Sequence, residues 1–115
     1  MRNLFILSFL SILFFSCNKL DQSTLVGTWK MVEFKANGNN QMPSYVVTIE
    51  FQSANTHITY GDGAVIYSGV YSLNIADQKL TIDNVTYEIT HYQGNQMTLE
   101  TSVGGTNLVY KYEKQ

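Results

Sequence analysis

From residue 25 onward the chain alternates apolar and polar positions with a period of two, in short runs set apart by clusters of Gly, Asn and Asp. The first run, 25–34, reads Leu-Val-Gly-Thr-Trp-Lys-Met-Val-Glu-Phe. A strand there puts Trp29 and Met31 on one face and Lys30, Val32 and Phe34 on the other, and Gly27 lets another backbone or a large ring come close. A polar loop, 37–43, ends at the only proline, Pro43. The run 44–52 then sets Tyr45, Val47, Ile49 and Phe51 against Val46, Thr48, Glu50 and Gln52. A third strand, 56–60, meets Gly61-Asp62-Gly63, which supplies the positive backbone angles of a tight hairpin. In 64–74, Val65, Tyr67, Gly69, Tyr71 and Leu73 are in phase, and Gly69 marks a bulge or corner where the strand bends or divides. The runs 79–82, 85–92 (Val85, Tyr87 and Ile89 in phase), 96–103 (Met97, Leu99, Thr101 and Val103) and 106–113 (Leu108, Tyr110 and Tyr112) complete the pattern.

No helical period extends beyond a turn. The runs predict an all-β domain: a small antiparallel up-and-down barrel of about eight strands, because closure removes the exposed edges of a meander. A membrane-spanning barrel is excluded, since several runs hold about five residues where about 9 to 11 are needed. Its lipid-facing side would also carry Thr48, Glu50, Glu88, Glu100 and Lys111.

Residues 1–24 follow another rule. Arg2 and Asn3 lead an apolar stretch, 4–15, interrupted only by Ser8 and Ser11 and followed by Ser16 and the only cysteine, Cys17. The stretch is too short to span a bilayer, which takes about 20 residues, and has the layout of a cleaved export signal. It resembles a bacterial lipoprotein signal, with Leu13-Phe14-Phe15-Ser16-Cys17 as the lipobox. That resemblance implies a signal peptide at 1–16, a lipidated tether at 17–24 and a folded domain at 25–115. Cys17 would be the lipid attachment site, and acyl chains on it would hold the protein to a membrane.

Cleavage before Cys17 removes Arg2 and leaves six lysines against nine acidic residues, a formal charge of −3. The lysines are scattered, so a nucleic-acid partner is not expected. His57 and His91 form no metal-ligand spacing and read as surface or hairpin-edge residues. Asp62, Asp77 and Asp83 fall in turns, where Asp caps backbone. No serine lies in a nucleophile motif and no glycine loop would cradle phosphate. Neither metal, cofactor nor catalysis is expected.

Gly27-Thr28-Trp29 on the first strand, Gly69-Val70-Tyr71-Ser72-Leu73 and the hairpin begun by Lys79-Leu80-Thr81-Ile82 together resemble the small lipocalin-like (calycin-like) lipoproteins of Bacteroidota. The resemblance implies that Gly27 and Trp29 plug one barrel end. It also implies that Lys111, on the last strand, takes the place of the arginine that larger lipocalins set against the indole. Tyr45, Tyr67, Tyr71, Tyr87 and Tyr110 share faces with aliphatic residues and, with Gly69, form the candidate ligand pocket, plain core packing being the alternative. The expected protein is a lipoprotein of the bacterial envelope, at the outer membrane or cell surface, binding a small hydrophobic or aromatic ligand. The rival is a solid barrel that docks an envelope protein.

Overall fold

The computed structural model describes residues 20–115. A single turn of helix, α1 (Gln22–Leu25), precedes nine strands: β1 (Gly27–Ala36), β2 (Asn39–Asn40), β3 (Val47–Phe51), β4 (Thr56–Gly61), β5 (Ala64–Asn74), β6 (Lys79–Ile82), β7 (Val85–Tyr92), β8 (Gln96–Val103) and β9 (Thr106–Lys114). Apart from the two-residue β2, which folds back on the end of β1, each strand pairs antiparallel with the next, and β1 also pairs with β9. The result is the expected closed barrel of eight antiparallel strands. Asp62-Gly63 and Gly104-Gly105 turn two of its hairpins with positive φ at both positions, as that tight turn requires.

Three bulges correct the expected alternation. Val32 is an extra residue against β9, because Met31 pairs with Tyr112 while Glu33 pairs with Lys111. Phe34 therefore packs against the core instead of facing out with Lys30 and Val32. Ile66 is extra against β4, so Val65 points outward and is 62% exposed. Thr90 is extra against β8, which brings Tyr92 onto the core after Ile89. One residue inserted into one strand reverses the faces beyond it. Expected strand 44–52 shortens to Val47–Phe51 because residue 46 is held elsewhere: Val46 N donates to Asp62 Oδ1 at 2.9 Å, and Asp62 N donates to Val46 O at 2.8 Å.

The end where β1 begins is filled. Trp29 is fully buried, and its Nε1 donates to Leu25 O at 2.8 Å. Residues 21–24, expected to be tether, instead form the start of this plug. Asp21 Oδ1 accepts from Thr24 N at 2.9 Å and Asp21 N donates to Thr24 Oγ1 at 3.0 Å, a reciprocal cap that stabilises even one turn. Gln22 Nε2 donates to Tyr71 Oη, which donates to Gln52 O, each at 2.7 Å.

The cation at this plug is Lys114, not Lys111. Lys114 Nζ lies 5.6 Å from the Trp29 ring centroid and donates to Thr24 O at 2.6 Å. Lys111 faces outward, 49% exposed, with Nζ 3.8 Å from Glu33 Oε1. What approaches Gly27 is therefore the Lys114 stem: a Cβ there would sit 2.9 Å from Lys114 Cε, and φ is +136°.

The space at Gly69 is likewise occupied. A Cβ on Gly69 would overlap the Asp83 carboxylate, whose Oδ1 accepts from Val70 N at 3.1 Å. Asp83 Oδ2 lies 3.2 Å from Nε2 of His57, which is fully buried rather than at a surface or hairpin edge. Gly69 thus admits a side chain from the β6–β7 turn rather than opening a pocket, and β5 stays one continuous strand. It changes partner there: β5 pairs with β4 through Val70 and with β6 from Tyr71 onward.

Trp29→Ala should cost about 3 to 5 kcal/mol, the range for truncating a large buried aromatic. Denaturant unfolding measures the loss, and wild-type emission should be blue-shifted and weakly quenched by iodide. Gly69→Ala should expel the Asp83 carboxylate and strip His57 of its partner, costing about 1 to 3 kcal/mol. Its effect and that of Asp83→Ala should combine to less than their sum, because both remove one contact; additive effects would refute the coupling.

Candidate functional site

The opposite end is open. Between β1 and the strands β3 to β9 lies a cavity of about 320 Å³. Met31, Val47, Ile49, Ile82 and Leu99 make its apolar wall, and Phe34, Tyr45, Tyr67, Tyr87, Tyr110 and Tyr112 bring rings to it. Thr59 and Gln41 are its other polar residues; among the described residues no Asp, Glu, Lys, Arg or His lines it.

The rings hold one another. Phe34 stacks on Tyr110 with centroids 4.4 Å apart and planes within 9°, and Tyr87 meets Tyr110 edge-on at 5.7 Å. Tyr110 and Tyr112 are 6.5 Å apart. On the other side, Tyr67 stands edge-on to His57 at 5.5 Å, so the half-buried His57–Asp83 contact supports that wall. Aromatic pairs in these geometries contribute about 0.5 to 1.5 kcal/mol beyond their burial, which favours a fixed arrangement of rings.

Of the residues expected in a pocket, Tyr45, Tyr67, Tyr87 and Tyr110 come together here. Tyr71 does not: its ring packs on Phe51 at 4.9 Å in the filled half, and its hydroxyl ties α1 to the strands. Gly69 belongs to the wall beside Asp83. Thr59 went unnoticed in the sequence because β4, Thr-His-Ile-Thr-Tyr-Gly, turns its polar residues His57 and Thr59 inward. The sign that could have found them is register: His57 pairs with Phe51 and Thr59 with Ile49, both inward residues of β3. Cys17 lies outside the described residues.

The chemistry of the mouth is neutral. Burial foremost, then Tyr110, Tyr67 and the charge of Asp83, push the Tyr87 hydroxyl up to about 12. Burial likewise raises the hydroxyls of Tyr110 and, further, Tyr112. None of the Tyr45, Tyr67, Tyr87 and Tyr110 hydroxyls bonds to another described residue, and Thr59 Oγ1 is buried without a partner among them. Three or more His, Cys, Asp or Glu grouped as for a metal do not occur among the described residues. The arrangement can enclose a small apolar body and offer hydroxyls to it.

No curated protein and no solved structure matches the chain. Residues 25–113, from the last residue of α1 to the last but one of β9, match the family described as "Lipocalin-like domain". With its closed eight-stranded barrel, the chain belongs to the lipocalin-like domain family.

Proposed function

We propose that this protein is a non-catalytic, membrane-anchored carrier that binds one small hydrophobic or aromatic molecule in the barrel mouth. The observation that supports it is the cavity of about 320 Å³, at the small end of the roughly 300 to 1,000 Å³ range of ligand sites. Its lining of rings and aliphatic side chains suits a molecule of one or two rings or a short branched chain. An alternative, protein docking, draws on Val65 and Val70, exposed 62% and 61% along the part of β5 that pairs with β4 alone.

The anchor rests on the sequence: the apolar run, Ser16 and then Cys17. Cys17 stands three residues before Leu20, which packs on the core, and that much chain reaches about 10 Å. An acyl group on Cys17 would hold the plugged end toward the bilayer and the mouth away from it. Ligand would then enter from the aqueous side or from a partner, not straight from the anchoring leaflet. The compartment this fits is the bacterial envelope, at the outer membrane or cell surface.

The wild-type chain should take up a neutral fluorescent apolar probe and gain thermal stability from it. Val47→Phe, which extends a ring into the cavity, should weaken uptake at least about ten-fold while the chain stays folded. A wild type that neither binds such probes nor is stabilised by fatty alcohols, isoprenoids or bile-acid-like compounds would leave the carrier reading without support and favour docking. Separately, Cys17→Ser should move the protein out of the membrane pellet in fractionation; if it still pellets as before, Cys17 is not the anchor.

A further inference from the structure

The cavity's phenol hydroxyls say more than its size. Tyr67, Tyr87, Tyr110 and Tyr112 line it from β5, β7 and β9, and none of their hydroxyls bonds to another described residue. Among the described residues, the unbonded side-chain polar atoms that are enclosed by protein are His57 Nδ1, Thr59 Oγ1 and Tyr92 Oη. The hydroxyls of Tyr87, Tyr110 and Tyr112 are unbonded without being enclosed, and the space their residues line is the cavity.

They also lie close together. The Tyr110 ring is 5.7 Å from that of Tyr87 and 6.5 Å from that of Tyr112, centroid to centroid. Burial foremost, then Tyr87, Tyr110 and Tyr67, raises the Tyr112 hydroxyl, and Tyr87 in turn feels Tyr110, Tyr67 and Asp83. Such influence fades with distance, so hydroxyls from three strands converge on one part of the cavity. Raised in this way, Tyr87, Tyr110 and Tyr112 stay protonated at neutral pH, and each has an O–H to donate. A phenol oxygen shares its lone pairs with the ring, which makes it a better donor than acceptor. A carbonyl oxygen is the complement, with two lone pairs and no proton. The charge of Asp83 felt at Tyr87 favours a neutral acceptor over an anionic one.

We propose, resting on the carrier reading, that the occupant is an uncharged ring compound bearing a carbonyl, whose oxygen accepts from the Tyr87, Tyr110 and Tyr112 hydroxyls while its body fills the apolar part of the cavity. The apolar wall then supplies most of the affinity, and the hydroxyls set orientation and preference.

A ketone and a hydrocarbon of one shape separate this from plain apolar uptake: 2-acetylnaphthalene and 2-isopropenylnaphthalene, titrated by calorimetry at neutral pH, with 2-naphthoate as the anion. The protein is the chain as expressing cells process it, with Tyr87→Phe, Tyr110→Phe and Tyr112→Phe made singly and together. The ketone-to-hydrocarbon affinity ratio should fall about two- to ten-fold in at least one single variant, the range of one neutral hydrogen bond, and at least about five-fold in the triple variant. Trp29 emission checks folding, and the single variants, each lacking one oxygen, decide the question alone if the triple variant does not fold. The infrared C=O stretch of the ketone bound to wild type should lie below its frequency in hydrocarbon solvent, a shift that a merely structural role for the rings would not produce. A ratio that no single variant lowers, a stretch unchanged from hydrocarbon solvent, or 2-naphthoate binding more tightly than the ketone overturns this proposal while leaving the carrier reading intact. No binding by any of the three compounds overturns both.

Discussion

A fully buried indole cannot leave its N–H unpaired, and in this barrel the partner of Trp29 is the carbonyl of Leu25, four residues earlier. That single bond requires the chain to turn back before β1 begins, which the Asp21 cap and α1 achieve. It also fixes β1 between β3 and β9, since Trp29 pairs with Ile49 on one side and Lys114 on the other. Lys114 then lies across the ring and reaches the Thr24 carbonyl. Closure of the barrel and closure of its end are thus one event. The apolar contacts below it, Phe51, Leu80, Met97 and Leu99, depend on the wall being complete on all sides.

The strand count, the hairpins and the inward faces of β3, β8 and β9 were legible because a period of two is a direct consequence of strand geometry. What the period could not reveal is where it skips. Bulges at Val32, Ile66 and Thr90 carry no local mark, such as a glycine, so Phe34 and Val65 were assigned to faces they do not occupy and Tyr92 was given no place in the core. Lys114 was within reach of sequence reasoning: Leu108, Tyr110 and Tyr112 alternate inward, and the next residue in that phase is 114, whereas 111 falls outside. His57 and Thr59 were not, because their strand places a charge-capable ring and a hydroxyl where an apolar pattern is expected. Only the pairing with Phe51 and Ile49 gives them away.

The two halves of the barrel use aromatic residues differently. In the filled half, Tyr71 satisfies its hydroxyl within the protein and Phe51 packs against its ring, so polarity is consumed in joining α1 to the loops. At the mouth, Phe34 and Tyr87 pack face and edge on Tyr110, but the hydroxyls of the two tyrosines are left without protein partners among the described residues. The eight-strand barrel is the size at which either outcome is available, filled or holding one small molecule. This chain adopts both along a single axis.

The difference between the halves traces to strand lengths around β6. With four residues, β6 ends level with the middle of β5, so, among the described residues, 64–70 of β5 pair with no strand but β4. A free strand edge is a hazard for unwanted pairing, and here it is blunted where it begins: Asp83 N donates to Val70 O at 2.8 Å, Asp83 Oδ1 accepts from Val70 N, and the Ile66 bulge disturbs the edge above. The same carboxylate serves the interior through His57 and, by way of that ring, Tyr67. A longer β6–β7 hairpin would pair the edge and wall over the gap between Tyr67 and Tyr87. The short one keeps the mouth open, which makes the Asp83 turn, rather than the bare space at Gly69, the feature of the wall on which the cavity depends.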